Sequence, residues 1–401
     1  MSASPRPTPP DERIISLDVL RGFALLGILL INVRAFGMPE ATLSNPTAYG
    51  EFSGGNYAVW LFTHVFAEGK FLTLFTVMFG AGIVLFTETK ERKGQPATLL
   101  HYRRSVWLIA IGLAHAYLLW YGDVLFAYGV TGIVLVAART FEPWKQIAAG
   151  LALLAFPSLT ELAAGLALSP DAFAGAWLPS EAAIQAEVSA YRGGWFDQLG
   201  HRVPTSFERQ FEGYLSSTFA RVGGAMLLGM ALYRTGVITN DRSTAFYRRL
   251  VLAGGAGGLA LILAGVAYVS TAGFGPGVAP FWRQFNYWGA LLLAGAYIGV
   301  VMLFCRWRAD GPVATGLAAV GRTALSNYLL QTVLATSVFY GHGLGLFGTL
   351  SRVELMAVVV AIWAVQVPLS VLWLRYFRFG PVEWGWRTLT YGSRQPLVRD
   401  T

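Results

Sequence analysis

One cysteine, Cys305, stands in 401 residues, which excludes an intramolecular disulfide and a thiolate metal cluster and leaves a small core residue as the plain reading. The five histidines are scattered, with no His-rich run and no neighbouring cysteine, so no metal is expected. Charge is scarce as well: 13% of residues are Asp, Glu, Lys or Arg, against 55% hydrophobic. That balance excludes an ordinary soluble enzyme and points to a protein whose solvent is lipid. The polar connections are too short to house a soluble domain. The net charge of +8 comes without a groove of interleaved aromatic and basic residues, so no nucleic acid partner is expected.

What the chain has in abundance is apolar runs of about 20 residues, the length that crosses a bilayer as a helix. They fall near 14 to 36, 57 to 87, 105 to 121, 123 to 139 and 146 to 168. Five more follow, near 213 to 233, 250 to 271, 284 to 305, 313 to 338 and 354 to 374. The expected fold is therefore all-α: a polytopic membrane bundle of about ten transmembrane helices. The first run is too long and too charged for a cleaved signal, so it stays in the membrane. Residues 1–13 are expected to be a disordered cytoplasmic tail, 14–390 a single transmembrane domain and 391–401 a second cytoplasmic tail. The longest polar connection, 169–212, is expected outside, either capping a cavity or lying passively on the surface with an amphipathic helix near 181–191. Of the 30 Lys and Arg residues, 20 fall on one side of this topology, which places both termini in the cytoplasm and assigns the positive charge to anionic lipid.

Several runs carry ionisable residues well inside, where charge is costly and usually functional. Asp18 and Arg21 are three apart near the cytoplasmic end of the first helix, so they share a face. They form either a self-neutralised interfacial pair or an arginine turned to an anionic group. Arg322 lies at a comparable depth in the ninth run, followed by Ser326, Asn327 and Gln331. Two arginines at one depth suit phosphate. His115 lies in the outer half of the third run, eight residues before Asp123. On an unbroken helix that spacing stacks the two on one face, although Gly122 is expected to bend the chain. A histidine oriented by a carboxylate is a general base; the alternative is a histidine satisfied by a neighbouring helix. The second run brings His64, Glu68 and Lys70, with Glu68 and Lys70 on different faces, and His64 is the rival base. The run 57 to 87 is long enough to be tilted, broken at Glu68–Lys70 or preceded by an interfacial piece, and no twin of such a break is evident in the second half. Gly343 to Gly348 fits a dinucleotide pattern without the strand and helix that make it work, and it is set aside.

Some of these residues also carry a likeness. The opening ISLDVLRGFALLGIL from Ile15, KFLTLF from Lys70 with FGAG from Phe79, WYGDVL from Trp120, VGRTALSNYLLQT from Val320 and RYFRFGPVEW from Arg375 resemble the YeiB family of bacterial inner-membrane proteins, over residues 14 to 390. The resemblance implies a multi-pass protein of the bacterial inner membrane. The LDVLRG start also resembles the transmembrane acyltransferase superfamily, including the heparan-alpha-glucosaminide N-acetyltransferase family, whose members pass an acyl group from cytoplasmic acyl-CoA to an acceptor. Their functional histidine lies near the start of the second helix, where this chain has Asn56, Tyr57 and Val59, with His64 deeper.

The expectation is an acyl-CoA-dependent membrane acyltransferase with an acceptor hydroxyl or amine still unknown. Arg21 and Arg322 hold the phosphates of the co-substrate, Lys70 lies along the path to the thioester and Glu68 shares the polar cavity. His115 oriented by Asp123 is the base, and Asn32 or Asn327 faces the oxyanion. The alternative is a secondary transporter or proton-coupled carrier, for which the same charges form a pathway. Partners are the bilayer, acyl-CoA and the acceptor, with a homodimer left open.

Overall fold

The structure is a computed structural model that describes residues 14–399; the tail expected at 1–13 lies outside the described residues. It is a helical membrane bundle, and the one β feature among the described residues is an isolated bridge between Phe377 and Val398. In chain order the helices are α1 (Ile15–Gly37), α2 (Ala41–Ser44), α3 (Gly54–Phe66), α4 (Lys70–Arg92), α5 (Ala97–Leu118), α6 (Leu125–Leu135) and α7 (Pro143–Ala167). A cap follows, of α8 (Asp171–Trp177), α9 (Glu181–Arg192) and α10 (Leu199–Gln210). The second half holds α11 (Phe219–Arg234), α12 (Thr244–Thr271), α13 (Ala279–Arg308), α14 (Pro312–Arg322), α15 (Ala324–Phe339), α16 (Arg352–Tyr376) and α17 (Pro381–Tyr391).

Seven of the ten expected runs are helices long and apolar enough to cross a membrane. The other three are α5, α6 and the pair α14–α15, which are shorter or more charged. Two differences from expectation matter for function. The connection at 169–212 is helical rather than a loop, and α10 continues through a π turn at Tyr214–Thr218 into α11, so that Leu199–Arg234 runs as one helical stretch. The second run is indeed broken, at Gly69, whose φ of +83° suits a residue without a Cβ. That break has a counterpart in the second half after all, at Thr323, where φ −112° and ψ 33° separate α14 from α15.

α1 is the central post, packed by α14, α4, α13, α15 and α16. It approaches α14 closely because glycines face backbone: a Cβ on Gly22 would stand 1.9 Å from the Leu317 carbonyl oxygen, and one on Gly321 1.9 Å from that of Asp18. The same device joins α4 to α11 through Gly80 and Gly229. The outer helices α7, α12 and α16 turn Phe156, Leu159, Leu252, Val360 and Leu372 outward, as lipid requires. After α16 the chain folds back. α17 is tied to α5 by Trp386 Nε1 donating to the Arg104 carbonyl at 2.8 Å, and Trp384 Nε1 donates to Gln395 O at 2.7 Å.

Candidate functional site

A cavity of about 680 Å³ lies between α1, α4, α5, α14, α15 and α17, at the end of the bundle where α1 begins and α4 ends. Among the described residues its walls carry seven cationic side chains, Arg21, Lys90, Arg92, Arg104, Arg322, Arg378 and Arg387, against two carboxylates, Asp18 and Glu383. Neither carboxylate offsets that excess fully. Asp18 Oδ1 is 3.4 Å from Arg21 Nη1, within the same turn. Glu383 turns its oxygens to the start of α15, accepting from the Leu325 amide at 2.7 Å, the Ser326 amide at 3.1 Å and the Ser326 hydroxyl. It thereby caps the half-helix that the break at Thr323 creates. Burial pushes the Glu383 carboxyl above the ordinary range, and the Ser326 hydroxyl and the amides pull it back.

Several of the cations rest on aromatic faces. Arg104 stands 4.6 Å from the Trp386 ring centroid and 5.1 Å from that of Phe86; Arg387 is 4.6 Å from Phe379, and Lys90 4.6 Å from Tyr391. Such stacking holds a guanidinium in place without neutralising it. Deeper in, the wall turns apolar with Phe75, Met78, Phe79, Leu108, Leu125, Tyr128 and Tyr328. A charged mouth over an apolar depth fits a ligand with a polyanionic head and an apolar tail.

The floor of the cavity leads to the histidine. Tyr328 lines the cavity on one side, and its ring packs on that of His115 at 5.0 Å. Its hydroxyl donates to Gly122 O at 3.2 Å. His115 Nδ1 is 3.0 Å from Asp123 Oδ1, and its Nε2 is 2.9 Å from Thr332 Oγ1. Asp123 Oδ2 accepts the Phe126 amide at 2.8 Å and so starts α6. The two side chains are 1% and 0% exposed. The contact does not come from one continuous helix: α5 ends at Leu118, and the chain turns back through 119–124 to bring Asp123 onto the ring.

The remaining residues singled out in the sequence lie elsewhere. Glu68 joins Arg34 Nη2 and His64 Nδ1, both at 3.3 Å, away from the cavity wall. His64 is stacked between Trp60 and Trp282 at 5.2 and 5.1 Å. Lys70 is fully buried and donates to His64 O at 2.6 Å and Asn286 Oδ1 at 2.5 Å. It does not line the cavity. Asn327 donates to Thr323 Oγ1 and Ser370 Oγ, each at 2.8 Å, and accepts from Gln366, so its amide serves the packing of α15 on α16. Asn32 is half-buried on α1, outside the cavity wall. The structure thus brings Arg21 and Arg322 into one cavity and His115 onto Asp123, and gathers Glu68, His64 and Lys70 into a separate cluster.

Sequence reasoning missed Arg104, Glu383, Trp386 and Arg387 as parts of this wall. The signal for α17 was present: Gly380-Pro381 followed by Glu383 marks a helix start after the last span.

Fold and site together define a multi-pass membrane protein with an internal cavity walled by cations over an apolar floor. Its relatives place it further. It is 34% identical to the uncharacterised protein YeiB of Escherichia coli (strain K12), over 97% of this chain and 99% of that one, and it belongs to the YeiB family. It is also 30% identical to the uncharacterised protein YxaH of Bacillus subtilis (strain 168), over 100% and 99% of the two chains. Residues 232–393 match the family model of a protein of unknown function, DUF418, a stretch that contributes Arg322, Tyr328, Glu383 and Arg387 to the cavity.

Proposed function

We propose that the protein is a membrane acyltransferase that takes an acyl group from acyl-CoA and passes it to a hydroxyl or amine acceptor. It would work in a bacterial inner membrane with the basic end of the bundle facing the cytoplasm. The observation that carries this reading is the cavity, whose arginines suit the phosphates of the co-substrate and whose apolar depth suits an acyl chain. Arg21, Arg104, Arg322 and Arg387 bind the head, and the thioester reaches down to Tyr328. There the acceptor nitrogen or oxygen attacks the carbonyl carbon, a C–N or C–O bond forms and the C–S bond breaks. The acceptor's proton passes by the Thr332 hydroxyl to His115 Nε2, and the imidazolium, held by Asp123, returns a proton to the departing thiolate. Polar groups at the α5–α15 contact then do the proton work, while the cavity supplies position.

A specific observation favours a second reading. Two segments are broken, at Gly69 and Thr323, and the cavity lies at one end of the bundle. Paired broken segments in the two halves of a bundle with a cavity at one end also describe a carrier of an anionic or amphipathic substrate. Membrane vesicles from cells producing the protein, supplied with acyl-CoA on the cavity side, separate the two. Release of free CoA thiol, lost in His115→Gln, supports transfer. Accumulation of intact thioester inside the vesicle with no thiol released supports the carrier and overturns the enzyme.

A further inference from the structure

The histidine and the cavity do not meet. His115 and Asp123 are 1% and 0% exposed, and neither they nor Thr332 belong to the cavity wall among the described residues. On α5 the wall includes Leu108, while His115, seven residues on along the same face, is not part of it. On α15 the wall includes Ala324, Leu325 and Tyr328 and stops there. Thr332, one turn further and about 6 Å along the axis, belongs to the histidine. A base must come within hydrogen-bond reach of the proton it takes, so this separation has to open before the cavity can be served by His115.

Tyr328 occupies the gap. The hydrogen-bond and ring partners of His115 are Asp123, Thr332, Trp120 and Tyr328, and of these Tyr328 is the one that also lines the cavity. Its ring centroid is 5.0 Å from that of the imidazole, so the phenol stands between the open volume and the base. Its hydroxyl donates to Gly122 O at 3.2 Å and ties α15 to the turn that carries Asp123. That is a long bond between neutral groups, which is the weaker kind. The neighbouring wall tyrosine is held more firmly: Tyr128 shares a hydrogen bond with Thr76 at 2.6 Å and packs its ring on Phe79 at 5.0 Å and Phe75 at 6.1 Å. The cavity beside Tyr328, about 680 Å³, offers its ring room to move.

We propose that Tyr328 is a gate between the cationic cavity and the His115–Asp123 pair. Latched to Gly122 O, it seals the base from the cavity; released, its ring turns aside and lets the thioester carbonyl and the acceptor reach Thr332 and His115. This rests on the acyltransferase reading, and it makes Tyr328 a positioning residue for transfer. A base kept sealed in this way spares a bound thioester from hydrolysis until the ring moves.

The test uses the full chain in nanodiscs with Cys305→Ser, which removes the one native thiol. Into it go either Thr332→Cys, behind the gate, or Gly82→Cys, on the cavity wall where a Cβ meets open space. Labelling by sulfonatoethyl methanethiosulfonate, an anion that suits the cationic mouth and is excluded by lipid, is timed by mass spectrometry. The expected result is rapid labelling of Gly82→Cys and labelling of Thr332→Cys slower by about tenfold or more. Tyr328→Phe keeps the ring and loses the latch, and should speed labelling of Thr332→Cys about fivefold, the worth of one neutral hydrogen bond. Tyr328→Ala should bring it near the rate of Gly82→Cys, whose own rate neither substitution changes. Labelling of Thr332→Cys as fast as Gly82→Cys with Tyr328 in place overturns the proposal, and so does slow labelling that both substitutions leave unchanged in folded protein. Labelling needs neither acyl-CoA nor turnover, so failure of the gate is distinguishable from failure of the acyltransferase reading, which release of CoA thiol decides.

Discussion

Replacing Asp123 with asparagine removes one charge and one acceptor while keeping the size of the side chain. The carboxylate serves two partners, His115 Nδ1 at 3.0 Å and the Phe126 amide at 2.8 Å. An amide carbonyl can keep one of them, and its NH2 must then face the other. If the oxygen stays on Phe126 and keeps the cap of α6, the NH2 meets Nδ1 and the tautomer must invert, so that Nε2 donates to Thr332. A hydrogen bond to a charged group contributes about 1.5–3 kcal/mol. With Asp123 0% exposed, water does not replace the lost partner, so a loss of about 2 kcal/mol is expected. His115→Gln removes the same contact. A double-mutant cycle read by denaturant unfolding in detergent should therefore show coupling of about 2 kcal/mol between the two positions. Transfer in membrane vesicles should fall by about a hundredfold or more in Asp123→Asn, because the base loses its orientation. Neutral unfolding in that variant, or single effects that add without coupling, would refute the reasoning.

Other consequences can be checked independently. Glu187 on α9 has its carboxyl raised to about 7 by burial and by the nearby Glu40 carboxylate, against the amide of Glu40 that donates to it at 3.0 Å. Because the folded value lies above the unfolded one, the folded state holds the extra proton between about pH 4.5 and 7. Stability should thus fall as pH rises through that window, by about 2–3 kcal/mol, and Glu187→Gln should flatten the profile of Tm against pH. Gly80→Ala should cost about 2 kcal/mol or more, since the added Cβ would stand 2.0 Å from Met226 O and force α4 from α11; Gly82→Ala, with open space at the same helix, is the control. Ser326→Ala removes the hydroxyl that Glu383 accepts from, and should cost about 1–2 kcal/mol in thermal unfolding while leaving the amide cap in place.

The helical fold was legible because lipid demands long apolar runs, and seven of them are helices of the required length. The meeting of His115 with Asp123 was legible too, though for an incomplete reason: the spacing suggested stacking on one helix, and the chain instead turns back after Leu118 to make the contact. The cavity wall was half legible. Arg21 and Arg322 stood out because they interrupt apolar runs, whereas Arg104 and Arg387 sit in stretches whose charge reads as loop or tail. Only the return of α17 onto α5, through Trp386 and the Arg104 carbonyl, brings them inward. Depth along a helix does not say which way a residue faces, and so Lys70 was expected on the thioester path although it is held by Asn286. The inward polar face of α10 was readable in principle, since the buried Arg202, Ser206 and Gln210 alternate at helical spacing with the exposed Val203, Phe207 and Phe211. It was overlooked because the whole connection counted as polar.

The central claim is that the cationic cavity holds acyl-CoA, and calorimetric titration of the purified protein with acetyl-CoA and palmitoyl-CoA tests it most directly. Arg104→Gln and the pair Arg21→Gln with Arg322→Gln belong beside the unaltered chain. The account predicts saturable binding to the unaltered chain, tighter for the longer acyl group, and weakened about tenfold or more by each set of substitutions. A folded protein that binds neither thioester, or binds both equally well after the arginines are removed, would contradict it.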